Sequence, residues 1–364
     1  MPNPMRYLVV PSKETERWKE FLISNEWLER GYNVQKDDDE RALPLSNSFP
    51  KILPPALSKF KIIEKVVSPP IPSNYLGFLK QKIGENTLNK YDQYWPHSFD
   101  QIGEIIIVKI DEHIEIYTNE IAQALLLQNN NSTRIFRDLG VQGDFRIRKL
   151  KLIGGSKELR GETKVKENGV EFIVDPTKGY YSPRLATERF ETLECATILK
   201  NKLKRGLNIC DAYAGFGPAL MPLLNEKGLV NHILANDLNP EITQLLEKNL
   251  IENNKENVSI NIKCEDAQTL ILDVNNKGFY DLLLVNIPHS TLEHLPSLIE
   301  LLNQGSSSLL RAWCIIESNK VKDVENQIND MFNTRKYVVS KLIVEPARSY
   351  SPTQIYTKIE VWLN

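Results

Sequence analysis

Four places in the second half of the chain combine acids, amides and glycines at spacings that suit a nucleotide-like ligand. The first, Asn208-Ile209-Cys210-Asp211-Ala212-Tyr213-Ala214-Gly215-Phe216-Gly217-Pro218, ends an apolar run with an acid and turns through two glycines toward a helix. Glycines let a backbone approach a ligand closely, and amides at a helix start present partial positive charge to its polar end. Twenty residues after Gly217, Asp237 closes the next apolar run in ANDLNP, where an acid can take both hydroxyls of a ribose. Asp266-Ala267 follows INIKCE, where an acid could accept from an adenine amino group, and Asn286-Ile287-Pro288-His289 follows the apolar run LLLV. A lone G-x-G fits an ordinary tight turn as well as a ligand loop. The ordered series of polar strand ends favours the ligand. No three-glycine dinucleotide fingerprint is present, so S-adenosylmethionine is favoured over a nicotinamide or flavin cofactor.

Asn286-Ile287-Pro288 resembles the Asn-x-Pro segment that amino-group and ring-nitrogen methyltransferases place beside the sulfonium. Such a segment offers a side-chain amide and a backbone carbonyl to a planar base edge while proline stiffens the loop. The plainer alternative is a strand-end turn. Methylating a ring nitrogen that carries a proton needs in-line geometry, a base for that proton, and a donor for charge gathering on the neighbouring carbonyl oxygen. Two upstream strings carry candidates for the second and third needs. They are Gly143-Asp144-Phe145-Arg146-Ile147-Arg148 and Tyr181-Ser182-Pro183-Arg184-Leu185-Ala186-Thr187-Glu188-Arg189.

The elements that must hold these residues can be read from periodicity. A length of 364 residues suits two or three domains, and 41% hydrophobic with 25% charged residues excludes wholesale disorder or a fibrous repeat. The net charge of -2 excludes a uniformly basic nucleic-acid binder but not a local basic face. Cys195, Cys210, Cys264 and Cys314 lie too far apart for a zinc or disulfide framework, and no metal site is expected. Without a signal-peptide core or a membrane-length apolar run, a cytoplasmic protein is expected.

Residues 5–45 read as a small α+β unit, with a strand at Tyr7 to Val10, a helical stretch carrying Trp18, Phe21, Leu22 and Trp27, and a hairpin turn at Gln35 to Arg41. Pro50, Pro54, Pro55, Pro69, Pro70 and Pro72 mark a semi-rigid connector. A second unit reads as a mixed sheet, with a strand over Ile102 to Ile110, a helix over Ile116 to Leu127, and strands at Phe145 to Leu152 and Val170 to Val174 around a charged loop. From Leu207 apolar runs alternate with helix patterns, which predicts an α/β, doubly wound, largely parallel sheet. The final segment predicts an antiparallel hairpin at the sheet edge.

The two upstream strings, with DAYAGFGP, NDLNP, NIPH and the terminal Ser349-Tyr350-Ser351-Pro352, resemble the archaeal and eukaryotic-type tRNA (guanine-37-N1)-methyltransferases from about residue 5 to the end. The resemblance implies three domains: a small α+β tRNA-recognition domain (1–66), a mixed α+β RNA-binding domain (67–182), and a Rossmann-like class I methyltransferase domain (183–364). It implies methyl transfer from S-adenosyl-L-methionine to N1 of guanosine 37, with Glu188 as general base, Arg146 stabilising O6 and Asn286 holding the base. The cofactor contacts it implies are Tyr181, Asp211, Ala214, Gly215, Gly217, Asp237, Leu238, Asp266, Ala267, Asn286 and Pro288. The expected partner is tRNA, met at the anticodon loop and elbow by a monomer with no membrane and no obligate protein partner. Without the resemblance, Glu188 would read as a helix-surface acid paired with Arg184 or Arg189, and Arg146 as a phosphate contact.

Residues 146–205 contain 15 Lys and Arg against 8 Asp and Glu, so a basic face exists within a slightly acidic chain. Arg148, Lys149, Lys151 and Arg184 are the RNA contacts expected there, giving salt-dependent and sequence-blind affinity. A solvated face is the bland alternative. Ile287 and His289 depart from the family's usual Leu or Pro and large or aromatic residue, so base stacking differs here. Three alternatives stay open: a bifunctional enzyme that also methylates the wyosine precursor, the related aminocarboxypropyl transferase, and a noncatalytic tRNA-binding module.

Overall fold

The computed structural model describes residues 4–29, 31–66, 72–142, 147–158 and 161–364. Arg146, with Gly143, Asp144 and Phe145, lies outside the described residues. The chain divides into two compact units, residues 1–81 and 82–364.

In the first unit, β1 (Pro4–Pro11) is followed by α1 (Thr15–Ser24), β2 (Gln35–Asp37), β3 (Glu40–Pro44) and β4 (Lys61–Val66), forming an antiparallel sheet in the order β2-β3-β1-β4. Apolar alternation in β1 sends Leu8 and Val10 to one side, where Trp18 and Leu22 of α1 bury against them with Leu43. The helix stops at Ser24, and Glu26 at φ 60 turns the chain back. Trp27 therefore reaches the same core from a turn rather than from the helix.

Helices α2 (Tyr75–Ile83) and α3 (Glu85–Lys90) follow in the chain. The second unit opens with a four-stranded sheet in the order β5-β6-β7-β8, built from β5 (Asp100–Ile102), β6 (Ile105–Val108), β7 (Arg134–Gln142) and β8 (Ile147–Gly155). The pairing of β6 with β7 is parallel, and α4 (Thr118–Gln128) lies between them in the chain. The run Ile102 to Ile110 is not one strand. It folds back at Gly103, whose φ is 54 and where a Cβ would sit 2.3 Å from the Lys164 carbonyl oxygen, so only glycine fits. The charged loop holds a strand the periodicity missed: β9 (Thr163–Glu167) pairs with β10 (Val170–Val174) through Asn168 and Gly169, both at positive φ as a tight hairpin turn requires.

Helix α5 (Ala186–Leu203) leads into a seven-stranded sheet made of β11 (Leu207–Asp211), β12 (Val230–Asn236), β13 (Ser259–Lys263), β14 (Leu282–Val285), β15 (Ser308–Glu317), β16 (Val339–Ser349) and β17 (Gln354–Leu363). Helices α6 (Leu220–Asn225), α7 (Pro240–Asn253), α8 (Thr291–Leu298) and α9 (Val321–Thr334) alternate with these strands. The order is β13-β12-β11-β14-β15-β17-β16, parallel through β15, with β17 inserted antiparallel between β15 and β16. Successive residues bury on opposite faces: Ile209 and Leu284 belong to one core, Cys210 and Leu283 to the other. The order in which strands are added reverses at β11, so the parallel strands β12 and β14 flank it and their carboxyl ends open a crevice at the switch point. Among the described residues, no helix is long and apolar enough to cross a membrane.

Candidate functional site

The crevice is laced together by backbone and side-chain bonds between strand ends. Asp237, just past β12, accepts from the Gly215 N–H and from the Asn239 N–H, each at 3.0 Å, fixing the loop after β11 against the start of α7. Asn236 donates to the carbonyls of Ala212 and Glu265 at 3.1 and 3.0 Å, tying all three strand ends into one rim. Asn239 caps α7 by accepting from the Glu241 N–H, with Pro240 at the first helical position. Gly215 has φ 56, and a Cβ there would meet nothing, so its conformation is what demands glycine. Gly217 differs. At φ 82, its Cβ would come within 2.8 Å of Leu246 and 2.9 Å of Met221, so it serves close packing onto the helices.

These strand ends line a cavity of about 480 Å³. Of the expected cofactor contacts, Tyr181, Asp211, Ala214, Gly215, Asp237, Leu238, Asp266, Ala267 and Asn286 share its wall, whereas Gly217 and Pro288 do not. Burial pushes the Asp211 carboxyl up to about 7, opposed by the Tyr213 N–H and reinforced by the neighbouring Asp237. Burial raises Asp237 as well, against the two amides that hold it. Among the described residues neither acid has a cationic partner. One buried and one half-buried carboxylate, neither facing a cation among the described residues, stand beside an open glycine loop and fit a ligand that brings hydroxyl donors and positive charge, as S-adenosylmethionine does.

Glu188 lies on the same wall, in the first turn of α5. Its neighbour Arg189 makes a two-pronged buried pair with Glu167 of β9 and donates to the Ser182 carbonyl at 3.0 Å. Tyr181 donates to the same Glu167 carboxylate at 2.8 Å. Arg184 turns away to Asp100 at 2.7 Å. Neither arginine that could have neutralised Glu188 does so, and its Oε2 is buried with no hydrogen-bond partner among the described residues.

A second cavity, about 710 Å³, abuts the first, and Tyr180, Leu185, Asn286, Ile287 and Tyr356 line both. Tyr356 of β17 donates to the Asn286 Oδ1 at 3.1 Å, and burial pushes its own ionisation far up, keeping it a phenol donor. Pro288 and His289 face this second cavity, with the His289 ring edge-to-face against Tyr350. Of the expected RNA contacts, Arg148 and Arg184 line it, while Lys149 and Lys151 are exposed on β8. Tyr356, Asp100 and Trp313 line these cavities without having been singled out from the sequence, because each arrives from an element distant in the chain. Asn236 lies inside ANDLNP, where spacing alone gives it no role.

A seven-stranded sheet with an antiparallel penultimate strand, and acids at the ends of its first strands, defines a class I methyltransferase. The TYW2 N-terminal domain family matches residues 78–158, and the TRM5/TYW2 methyltransferase domain family matches residues 163–331. The tRNA (guanine(37)-N(1))-methyltransferase Trm5b of Pyrococcus abyssi is 29% identical over 299 residues, covering 81% of this chain and 80% of that protein. A Methanocaldococcus jannaschii Trm5b of the same description is 28% identical over 313 residues, 82% and 83% of the two chains. The fold is similar to the crystal structure of Pyrococcus abyssi Trm5b, with a TM-score of 0.69 at 24% identity over 99% of both chains. It is also similar to Pyrococcus horikoshii TYW2 in complex with MeSAdo, with a TM-score of 0.62 at 17% identity over 79% of this chain and 98% of that one. The chain belongs to the TRM5/TYW2 methyltransferase family, and its cofactor is S-adenosylmethionine.

Proposed function

We propose that this protein methylates N1 of guanosine 37 in the anticodon loop of tRNA. S-adenosylmethionine, when bound, supplies an electrophilic methyl group on a sulfonium. The chain's residues do the rest. Asp237 offers its oxygens to the ribose hydroxyls, Asp266 an acceptor to the adenine amino group, and Tyr181, Asp211, Ala214, Gly215, Leu238 and Ala267 complete the cofactor wall. Asn286 holds the edge of the guanine, with its amide turned by Tyr356. Glu188 takes the N1 proton, and Arg146 donates to O6 as charge gathers there. Arginine suits this role because it stays charged and offers a planar set of donors.

The observation that carries this reading is Glu188 itself. A buried carboxylate oxygen without a partner, on the wall shared with Asn286, is costly unless a proton donor arrives to use it. The relatives named above as tRNA (guanine(37)-N(1))-methyltransferases support the substrate assignment. The role of Arg146 rests on the resemblance of the Gly-Asp-Phe-Arg string. Residues 1–66 read the shape of the tRNA, its elbow included, residues 67–182 contribute RNA contacts through Arg148, Lys149 and Lys151, and residues 183–364 add Arg184 and carry the transfer. The protein acts as a cytoplasmic monomer.

The test is transfer of radiolabelled methyl from S-adenosylmethionine to tRNA transcripts, with the modified nucleoside identified by mass spectrometry. 1-Methylguanosine at position 37 is expected. Label from the aminocarboxypropyl chain instead of the methyl group would assign the transferase alternative. Cofactor and tRNA binding without turnover would assign a noncatalytic module, and a further methyl on the wyosine precursor would add the second activity.

A further inference from the structure

The cavity beside Asn286 holds an arrangement of charge that methyl transfer does not use. Asp100, at the start of β5, stands between two arginines from separate elements. Arg148 of β8 reaches its Oδ2 at 2.9 Å, and Arg184, in the turn before α5, reaches its Oδ1 at 2.7 Å. A third arginine, Arg348 of β16, lies over the Tyr356 ring at 4.7 Å from its centroid, and Arg148 lies over the Tyr180 ring at 5.9 Å. With Lys109, four cations among the described residues face this cavity against two carboxylates, Asp100 and Asp138. The Asp138 carboxylate is engaged with the Gly140 N–H.

The arrangement is specific in two ways. Guanidinium groups so close together repel one another, and Asp100 holds two of them in place by giving one oxygen to each. Each arginine spends only part of its planar fork on that carboxylate, leaving donors for another anion. The Arg184 side chain is 67% exposed, so it can swing without disturbing the core. Tyr180 and Tyr356, the rings that carry these arginines, line the cofactor cavity too, and Asn286 lines the same cavity as the charged seat.

We propose that Asp100 is a placeholder for a phosphodiester of the RNA flanking the target nucleotide, which draws Arg148 and Arg184 away from it on entry. This rests on the reading of the chain as an RNA methyltransferase. With the seat filled, the arginines clamp the backbone. With it empty, Asp100 suppresses the capture of stray anions beside the reacting base. The carboxylate thereby lowers affinity in exchange for selectivity.

The experiment uses the full chain and the Asp100→Asn variant with three probes: a tRNA transcript, a short single-stranded oligoribonucleotide and inorganic phosphate. Asp100→Asn should bind transcript and oligoribonucleotide several-fold more tightly at low salt. It should also steepen the dependence of log affinity on log salt by about one unit, as the seat then meets the RNA backbone with one more net positive charge. Cofactor affinity should stay unchanged. Arg184→Gln added to Asp100→Asn should return the affinity to or below that of the starting protein. Unchanged or weaker RNA binding by Asp100→Asn at equal cofactor affinity overturns the proposal. Inorganic phosphate binding to Asp100→Asn as tightly as the oligoribonucleotide does would give the seat to free phosphate and overturn its assignment to the RNA backbone. A starting protein that binds tRNA but transfers no methyl group would sink the functional reading while leaving this binding test intact.

Discussion

Arg189 and Glu167 face each other as a buried, two-pronged ion pair between α5 and β9, one residue along the chain from Glu188. The pair fixes the first turn of α5, and through Tyr181 and the Ser182 carbonyl it also fixes the segment that enters the cofactor cavity. Arg189 is therefore a positioning residue: held by Glu167, it sets where the Glu188 carboxylate stands.

Removing one member of such a pair strands the other. Glu167→Gln should destabilise the protein by about 3 to 5 kcal/mol, because the Arg189 guanidinium stays buried without its counter-charge. Urea denaturation at neutral pH measures this. A loss below about 1 kcal/mol would mean that the pair holds nothing.

The phenol of Tyr356 orients the Asn286 amide, and burial keeps it protonated throughout the working pH range. Tyr356→Phe removes a hydrogen bond with a net value of about 0.5 to 1.5 kcal/mol. It should slow methyl transfer by up to about tenfold while the dissociation constant of S-adenosylmethionine changes little. Equal losses in both would show that the phenol supports the cavity as a whole rather than the amide.

Asp211 makes stability depend on pH. Its folded-state carboxyl is pushed up to about 7 by burial, above the ordinary unfolded value of about 3.9. The folded state therefore binds the extra proton, and the resulting stability is complete below about pH 4 and lost as pH rises through 7. Asp237, raised in the same direction, adds to the slope. Ligand-free Asp211→Asn should lose less stability than the starting protein between pH 4.5 and 8, with a difference of a few kcal/mol at most. Parallel urea-denaturation profiles for the two proteins would contradict this.

Much of this architecture was legible in the sequence because local rules govern it. The alternation of apolar runs and helix patterns from Leu207 onward maps onto β11 to β15, and the final pair of strand patterns onto the β16–β17 hairpin. What escaped depends on distance along the chain or on crowding. The run from Ile102 to Ile110 looks like one strand until the Lys164 carbonyl packs against Gly103. Strand β9 is five residues of alternating charge, too short to separate from a polar loop. At the site, the acids and the Asn-x-Pro segment lie at strand ends and could be placed by spacing. Asp100, 48 and 84 residues from its two arginines, could not. The sequence also left Glu188 open to pairing with Arg184 or Arg189, and only long-range partners for both arginines resolve that choice.

Single-turnover methyl transfer to a tRNA transcript by Glu188→Gln, with the affinity for S-adenosylmethionine measured in parallel, tests the central claim most directly. The amide keeps the shape of the side chain and cannot accept the N1 proton. A rate lowered by about 10²- to 10⁴-fold at unchanged cofactor affinity is the predicted result. A rate within a few-fold of the starting protein would contradict it, as would a fall in rate matched by an equal fall in cofactor affinity.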